Sequence, residues 1–179
     1  MVIILDRDGV INVDSADYVK SADEWHPIDG SIEAIARLSK SGYRIAIATN
    51  QSGVGRGYYT LAELHAMHEK MCALVAEQGG SISHIAYCPH HPDEGCECRK
   101  PKPGLLREIG SALGIADFSS VTMVGDSLKD LQAAQSVGCR AALVKTGNGM
   151  TTLSELDDAG LSDISVYDNL ADFVNHILK

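Results

Sequence analysis

The sequence predicts an α/β fold, a Rossmann-like three-layer arrangement with a parallel sheet between two layers of helices. Three observations predict it. Several short β-type runs are apolar without alternation, as strands buried on both faces are. Segments of helical period separate them, and polar clusters follow three of the runs directly. Strands alternating with helices imply right-handed crossovers and helices on both faces of the sheet. With 179 residues, 45% of them hydrophobic, the chain can bury a real core and is near the size of one domain, so residues 1–179 are expected to form a single unit.

The elements follow in order. Val2, Ile3, Ile4 and Leu5 form the first strand. From Asp29 to Lys40, Ile32, Ile35 and Leu38 recur every three positions, with Asp29 as the expected cap and Gly42 where a helix would stop. A second strand is expected from Tyr43 to Ala48. Thr60 and Glu63 have capping-box spacing and precede a stripe of Leu61, Leu64, Met67, Met71, Leu74 and Val75. Further strands are expected from Ile82 to Tyr87, Val121 to Val124 and Ala141 to Val144, with helices over 103–113, 128–137 and 169–178. Residues 145–168, rich in Gly, Thr, Ser and Asp, read as a loop with a short helix.

Net charge restricts the partners. At −9 the chain lacks the basic surface that nucleic acid or an anionic membrane rewards, so any phosphate site must be a local cluster of cations. The four-residue apolar run near the N-terminus follows no basic segment and is too short for a signal peptide or a membrane span. A cytoplasmic protein is expected, acting as a monomer on a small molecule.

In parallel sheets, ligands collect beyond the carboxyl ends of the strands. There lie Asp6 and Asp8 after the first strand, Thr49, Asn50, Gln51 and Ser52 after the second, and Gly125, Asp126 and Ser127 after the fourth. Side chains two apart on an extended segment point the same way, so Asp6 and Asp8 can face one reacting centre. With Asp126 they make a set of oxygen ligands suited to Mg²⁺, which binds oxygen at roughly 2.1 Å. Lys100 and Thr49 supply the positive charge and the donor that a phosphoryl transition state requires. An acidic turn exposed to solvent is the bland alternative for an isolated D-x-D; placement at strand ends with Asp126 and Lys100 weighs against it.

A second constellation lies in "YCPHHPDEGCECRKPKPG". Cys88, His90, Cys96 and Cys98 give thiolate and imidazole donors in a set of four, the preference of tetrahedral Zn²⁺, and leave no open position for catalysis. A structural zinc loop is therefore expected over 88–98. A disulfide is the alternative, but Cys96 and Cys98 are badly spaced to pair with each other, and His91 rivals His90 as ligand. Cys72 and Cys139 read as core residues. The loop ends beside Arg99 and Lys100, so fixing its ligands would fix both cations.

Asp6-x-Asp8-Gly9-Val10 after an apolar strand, a strand ending in Thr49-Asn50, Lys100-Pro-x-Pro, and Val124-Gly-Asp-Ser-x-x-Asp130 resemble, in that order, the four motifs of the haloacid dehalogenase (HAD) superfamily. The resemblance spans nearly the whole chain. It implies a phosphohydrolase in which Asp6 is the nucleophile, Asp8 the general acid and base, Thr49 and Lys100 stabilise the phosphoryl group, and Mg²⁺ is held by Asp6, Asp126 and the backbone carbonyl of Asp8, with Asp130 behind them. The gaps from Asp8 to Thr49 and from Asn50 to Lys100 leave no room for a separate cap domain. The stretches "DRDGVINVD", "TNQSGVGRG", "CPHHP" and "CECRKPKPG" resemble more narrowly the family that removes the C7 phosphate of D-glycero-D-manno-heptose 1,7-bisphosphate in the synthesis of lipopolysaccharide heptose. That likeness implies substrate contacts from Asp14, Asp17, Tyr18, Asn50, Gln51, Ser52 and Arg99, and departs from some members in having Ser127 where they carry lysine. Arg7 and Arg56 are left open between structural and substrate roles. Histidinol-phosphate phosphatases share the motifs and a similar zinc loop and stay open as the alternative; a polynucleotide 3′-phosphatase or a non-catalytic phosphate-binding module fits less well.

Overall fold

In the computed structural model, which describes residues 1–179, alternate side chains of the first strand enter different cores. Ile3 and Leu5 of Val2–Leu5 (β1) join one apolar cluster, Val2 and Ile4 another, and all four are buried. The same division runs along Arg44–Asn50 (β2), with Ile45 and Ile47 on one side and Ala46 and Ala48 on the other. This two-sided burial explains the absence of alternation in the sequence.

Four more strands, His84–Cys88 (β3), Thr122–Gly125 (β4), Arg140–Val144 (β5) and Ser165–Tyr167 (β6), complete one parallel sheet in the order β3-β2-β1-β4-β5-β6. Helices Ser31–Lys40 (α1), Ser52–Gly55 (α2), Leu61–Glu77 (α3), Gly104–Leu113 (α4), Leu128–Ser136 (α5), Gly149–Glu155 (α6) and Leu170–Ile177 (α7) connect or follow the strands. The larger core takes side chains from α1, α3 and α7; the second takes Leu105, Leu106 and Ile109 of α4 with Ala133 and Ala134 of α5. Neither long inter-strand connection contains a further sheet or a cap.

Strand order reverses at β1, which pairs with β2 on one side and β4 on the other. A crevice therefore opens where the chain leaves β1 and β4, the place where such sheets bind ligands. No helix is long and apolar enough to cross a membrane.

The Thr60 capping box is present: its hydroxyl accepts from the Glu63 N–H at 3.2 Å while the Glu63 carboxylate accepts from the Thr60 N–H at 2.6 Å. Such a cap is worth ~1 kcal/mol. Three expectations need correction. Asp29 does not cap α1; Gly30 takes the cap position at φ 78°, a left-handed conformation natural to glycine. Leu61, assigned to the apolar stripe, is 44% exposed, because at the first position of α3 it lies beyond the edge of the core. Residues 145–168 contain β6 as well as a helix. The three residues of β6 lie at the sheet edge and are too few for a clear pattern, while Leu156 and Leu161 cover Leu131 and Leu143 in a small cluster nearby.

His68 lies on the packed face of α3, buried to 6% exposure, with its ring against Tyr87 and Nε2 3.5 Å from the Arg7 guanidinium. Burial, then the Arg7 charge, lowers its pKa to about 3. A histidine held neutral in the fold adds stability above its unfolded pKa of about 6.5, and that stability is lost as pH falls toward the folded value. Chemical denaturation should find that His68→Gln costs less at pH 5 than at pH 7, the difference being about 2 kcal/mol. An equal cost at both pH values contradicts this.

Candidate active site

The β1 strand ends against β4, where the Asp6 N–H donates to the Val124 carbonyl at 2.9 Å. This register carries Asp6 beside Asp126, which follows β4. Carboxylate oxygens of Asp6, Asp126 and Asp130 all lie within 4.8 Å of one another, with exposures of 9% or less. Glycines make this crowding possible. A Cβ on Gly9 or Gly147 would overlap the Asp126 carboxylate, and one on Gly125 would overlap Asp130. The glycine after the second motif aspartate thus clears space for an acid from a distant strand.

Lys100 supplies the buried cation. Its Nζ is 2.9 Å from Asp6 Oδ1 and 2.6 Å from Asp130 Oδ1, and donates to the Ala48 carbonyl at 2.6 Å. Asn50 fixes the lysine's backbone from both sides, accepting from its N–H at 3.0 Å and donating to its carbonyl at 3.1 Å. Asp130 also closes the start of α5, accepting from the Ser127 N–H and hydroxyl at 3.1 and 2.7 Å.

Crowded acids titrate abnormally. Burial, followed by the Asp130 charge, holds the Asp6 carboxyl well above the usual range although Lys100 opposes the shift. The same two causes push Asp126 to about 6, against hydrogen bonds from the Asn148 N–H and side-chain amide at 2.7 and 3.2 Å. Asp8 behaves oppositely. Burial would raise it, but the Arg7 charge with hydrogen bonds from Asn12, Arg7 and Gln51 brings it below the ordinary carboxylate value. Two acids of one motif are driven apart, a common basis for separate catalytic roles. The remaining excess of buried negative charge, built from hard oxygen donors, fits a divalent cation such as Mg²⁺.

A cavity of about 300 Å³ opens over these groups. Of the expected substrate contacts, Asp14, Tyr18, Asn50, Gln51 and Arg99 line it, together with Thr49. Asp17 and Ser52 do not: Asp17 points to solvent on the loop after β1, and Ser52 is buried at the start of α2. Gln51 is turned inward, its amide bonded to Asp8, Thr49, Arg7 and Tyr59. Arg7 is 1% exposed and pairs with Asp8 at 2.9 Å; Arg56 is exposed and outside the cavity wall. Sequence reasoning missed Asn148, Lys129 and Tyr59, which also line the cavity. Asn148 lies in the Gly- and Thr-rich stretch after β5, whose position beyond a strand end was its only signal. Tyr18 adopts φ 65° at the rim and packs edge-on against Tyr58, with ring centroids 5.1 Å apart.

The zinc loop forms its own cluster. Cys88 Sγ lies 3.5 Å from Cys96 Sγ and 3.6 Å from His90 Nδ1, and Cys98 Sγ is 3.5 Å from Cys96 Sγ and 3.2 Å from His90 Nδ1. Tetrahedral ligands at about 2.3 Å from a zinc ion sit roughly 3.7 Å apart, so the spacing fits the metal. All five cysteines are free. His91 is no ligand here; its ring accepts from the Asp93 N–H at 3.2 Å and caps the short turn Pro92–Glu94. Cys139 is buried, as expected, whereas Cys72 is only half-buried. Lys102 ties the loop from the other side, donating to the Gly95 and Cys96 carbonyls at 3.1 and 3.0 Å. The loop backbone docks where Gly55 and Gly104 lack side chains, since a Cβ on Gly55 would overlap His90 and His91, and one on Gly104 would overlap Glu97 and Cys98.

This sheet, with an acid cluster and a buried lysine at its switch point, defines the class of HAD-like hydrolases. A HAD-hydrolase-like family model matches residues 97–173. The chain is 56% identical over 177 residues to D-glycero-beta-D-manno-heptose-1,7-bisphosphate 7-phosphatase of Pseudomonas aeruginosa, covering 99% of this chain and 97% of that protein. The enzyme of the same description from Neisseria meningitidis serogroup B is 50% identical, with 99% and 94% coverage. Among solved structures, D,D-heptose 1,7-bisphosphate phosphatase from B. bronchiseptica, complexed with magnesium and phosphate, superposes with a TM-score of 0.93 at 48% identity, covering 99% of this chain and 97% of that one. The chain belongs to the D-glycero-beta-D-manno-heptose-1,7-bisphosphate 7-phosphatase family.

Elemental analysis of purified protein should give about one zinc per chain, with Cys96→Ser losing the metal and much of the activity as Lys100 loses its anchor. Cys96→Ser protein that retains both zinc and activity contradicts the assignment.

Proposed function

We propose that this chain removes the C7 phosphate from D-glycero-beta-D-manno-heptose 1,7-bisphosphate and leaves the C1 phosphate in place. Family membership supports the substrate. The observation that carries the chemistry is the Asp6 carboxylate, paired with Lys100 at 2.9 Å, within 4.8 Å of Asp126 and Asp130 at the floor of the cavity.

Asp6, Asp126 and the backbone carbonyl of Asp8 would hold Mg²⁺, which when bound offsets the acids' charge and draws electron density from the phosphoryl oxygens. Asp6 attacks phosphorus, forming a bond from its carboxylate oxygen as the bond to the sugar oxygen breaks. Asp8 gives its proton to the departing alkoxide. Water then attacks the phosphoaspartyl group, Asp8 takes the water's proton, and the bond to Asp6 breaks to release inorganic phosphate and restore both acids. Lys100 and Thr49 face the equatorial oxygens, where charge accumulates. Arg99, with its planar fork of donors, and Asp14 and Tyr18 at the rim line the cavity, which supports their contacting the sugar and its second phosphate.

Phosphate release from heptose bisphosphate, fructose bisphosphate and histidinol phosphate, with Mg²⁺ or EDTA, tests this reading. The heptose substrate should turn over fastest, EDTA should stop turnover, and Asp6→Asn should lower it by roughly 10³-fold or more. Preference for histidinol phosphate overturns the substrate assignment; full activity of Asp6→Asn overturns the mechanism.

A further inference from the structure

Gln51 has no hydrogen-bonding capacity left for a ligand. Its Oε1 accepts from the Tyr59 hydroxyl at 2.6 Å and from Arg7 NH2 at 3.1 Å. Its Nε2 donates to Asp8 Oδ2 at 2.7 Å and to Thr49 Oγ1 at 2.8 Å. A carboxamide offers two donors and an oxygen with two lone pairs, and all are used. The orientation is also fixed by charge: Arg7 can only donate, so a flipped amide would turn its own N–H groups against the guanidinium.

We infer that Arg7, Gln51 and Tyr59 form a single clamp that positions the Asp8 carboxylate for proton transfer to the leaving group. The inference rests on the acid–base role proposed for Asp8. Arg7 is the first arm. Its NH2 reaches Asp8 Oδ1 at 2.9 Å and Oδ2 at 3.1 Å, and its Nε reaches Oδ1 at 3.3 Å. With only 1% exposure, the guanidinium lies in the cavity wall with its donors committed to the carboxylate beside it and to Gln51. Asn12 adds a donor to Oδ1 at 2.9 Å. Oδ2 receives only Gln51 and the longer branch of Arg7, so it is the less saturated oxygen and the one with room for a proton. The Asp8 side chain keeps 22% exposure, which leaves one edge open to the cavity.

Tyr59 is the second arm, acting on Asp8 through Gln51. Its ring fits only because residue 53 is glycine, since a Cβ there would overlap the ring carbons. Burial raises the Tyr59 pKa to about 12, so its hydroxyl keeps the proton that it donates to Gln51. The "QSGVGRGYY" stretch thus has a mechanical reading: Gly53 admits Tyr59, Tyr59 fixes Gln51, and Gln51 fixes Asp8. These three are positioning residues, because their effect on the reaction passes through Asp8.

Leaving-group dependence separates this role from general support of the fold. An alkoxide needs a proton to depart, whereas the anion of an aryl or acyl phosphate leaves without one, and kcat/KM reports events only up to that departure. In the Mg²⁺-loaded enzyme, Tyr59→Phe should lower kcat/KM about tenfold for heptose bisphosphate but by less than about twofold for 4-nitrophenyl phosphate and acetyl phosphate. Gln51→Leu should show the same asymmetry, and adding Tyr59→Phe to it should cause no further loss, because both changes break one line of contact. Equal losses on all substrates, or losses that multiply in the double variant, overturn the clamp. If Gln51→Leu unfolds, Tyr59→Phe removes only one hydroxyl and its substrate ratio decides the matter. Asp8→Asn is the control: if it turns over the sugar phosphate at the full rate, the acid–base reading fails, whereas its collapse beside an indifferent Tyr59→Phe counts against the clamp alone.

Discussion

The pairing of a single buried ammonium with two carboxylates constrains everything else at the sheet edge. Lys100 is 2% exposed and lies within 3 Å of both Asp6 and Asp130, yet the acid cluster has a third member, Asp126, with no cation of its own. Isolated charges in such surroundings cost several kcal/mol each unless compensated. Of the cations around the crevice, only Lys100 and Arg7 form ion pairs with the carboxylates of Asp6, Asp8, Asp126 and Asp130, while Arg99 and Lys129 line the cavity without pairing to them. The acids are ordered by paired strands and glycines rather than by mutual attraction, so the fold holds them in an arrangement that electrostatics alone would disperse. A divalent cation is what such an arrangement is built to receive.

The zinc loop serves the same constraint through Arg99 and Lys100, which follow it and line the cavity. Its cysteines pack in or against the second core, and its four donors form a small cluster that ends two residues before Lys100. Asn50 then brackets the lysine's backbone, and β2, which carries Asn50, pairs with β3, which carries Cys88. Zinc ligand, strand register and buried lysine are thus linked over a few residues, and tolerance for misplacement of a phosphoryl clamp is small. Without a cap domain, loops wall the cavity, with Tyr18 at its rim packed against Tyr58.

Much of this was legible in the sequence, for identifiable reasons. Strands buried on both faces declare themselves as unbroken apolar runs, and acids immediately after them can lie only at the sheet edge, so Asp6, Asp8 and Asp126 were readable together. The zinc donors were readable because few other roles account for three cysteines and a histidine within eleven residues. What escaped notice had signals that other effects overrode. Gly30 displaced Asp29 as cap because the backbone there needs a positive φ. Gln51 follows a strand end and is polar, which made it resemble a substrate contact; its true partners, Tyr59 and Arg7, are set by packing that no local pattern shows. β6 is too short, and too near the edge, to leave a periodic trace.

A site arranged for a missing charge should be a liability to the fold until that charge arrives. This relation between stability and function is most directly measured by thermal denaturation of the protein and of Asp126→Asn, each in EDTA and in excess Mg²⁺. The account predicts that the substitution stabilises the metal-free protein by relieving repulsion, and that Mg²⁺ raises the melting temperature of the unaltered protein by several degrees while leaving the variant nearly unmoved. A variant less stable than the parent in EDTA, together with a parent indifferent to Mg²⁺, would contradict it.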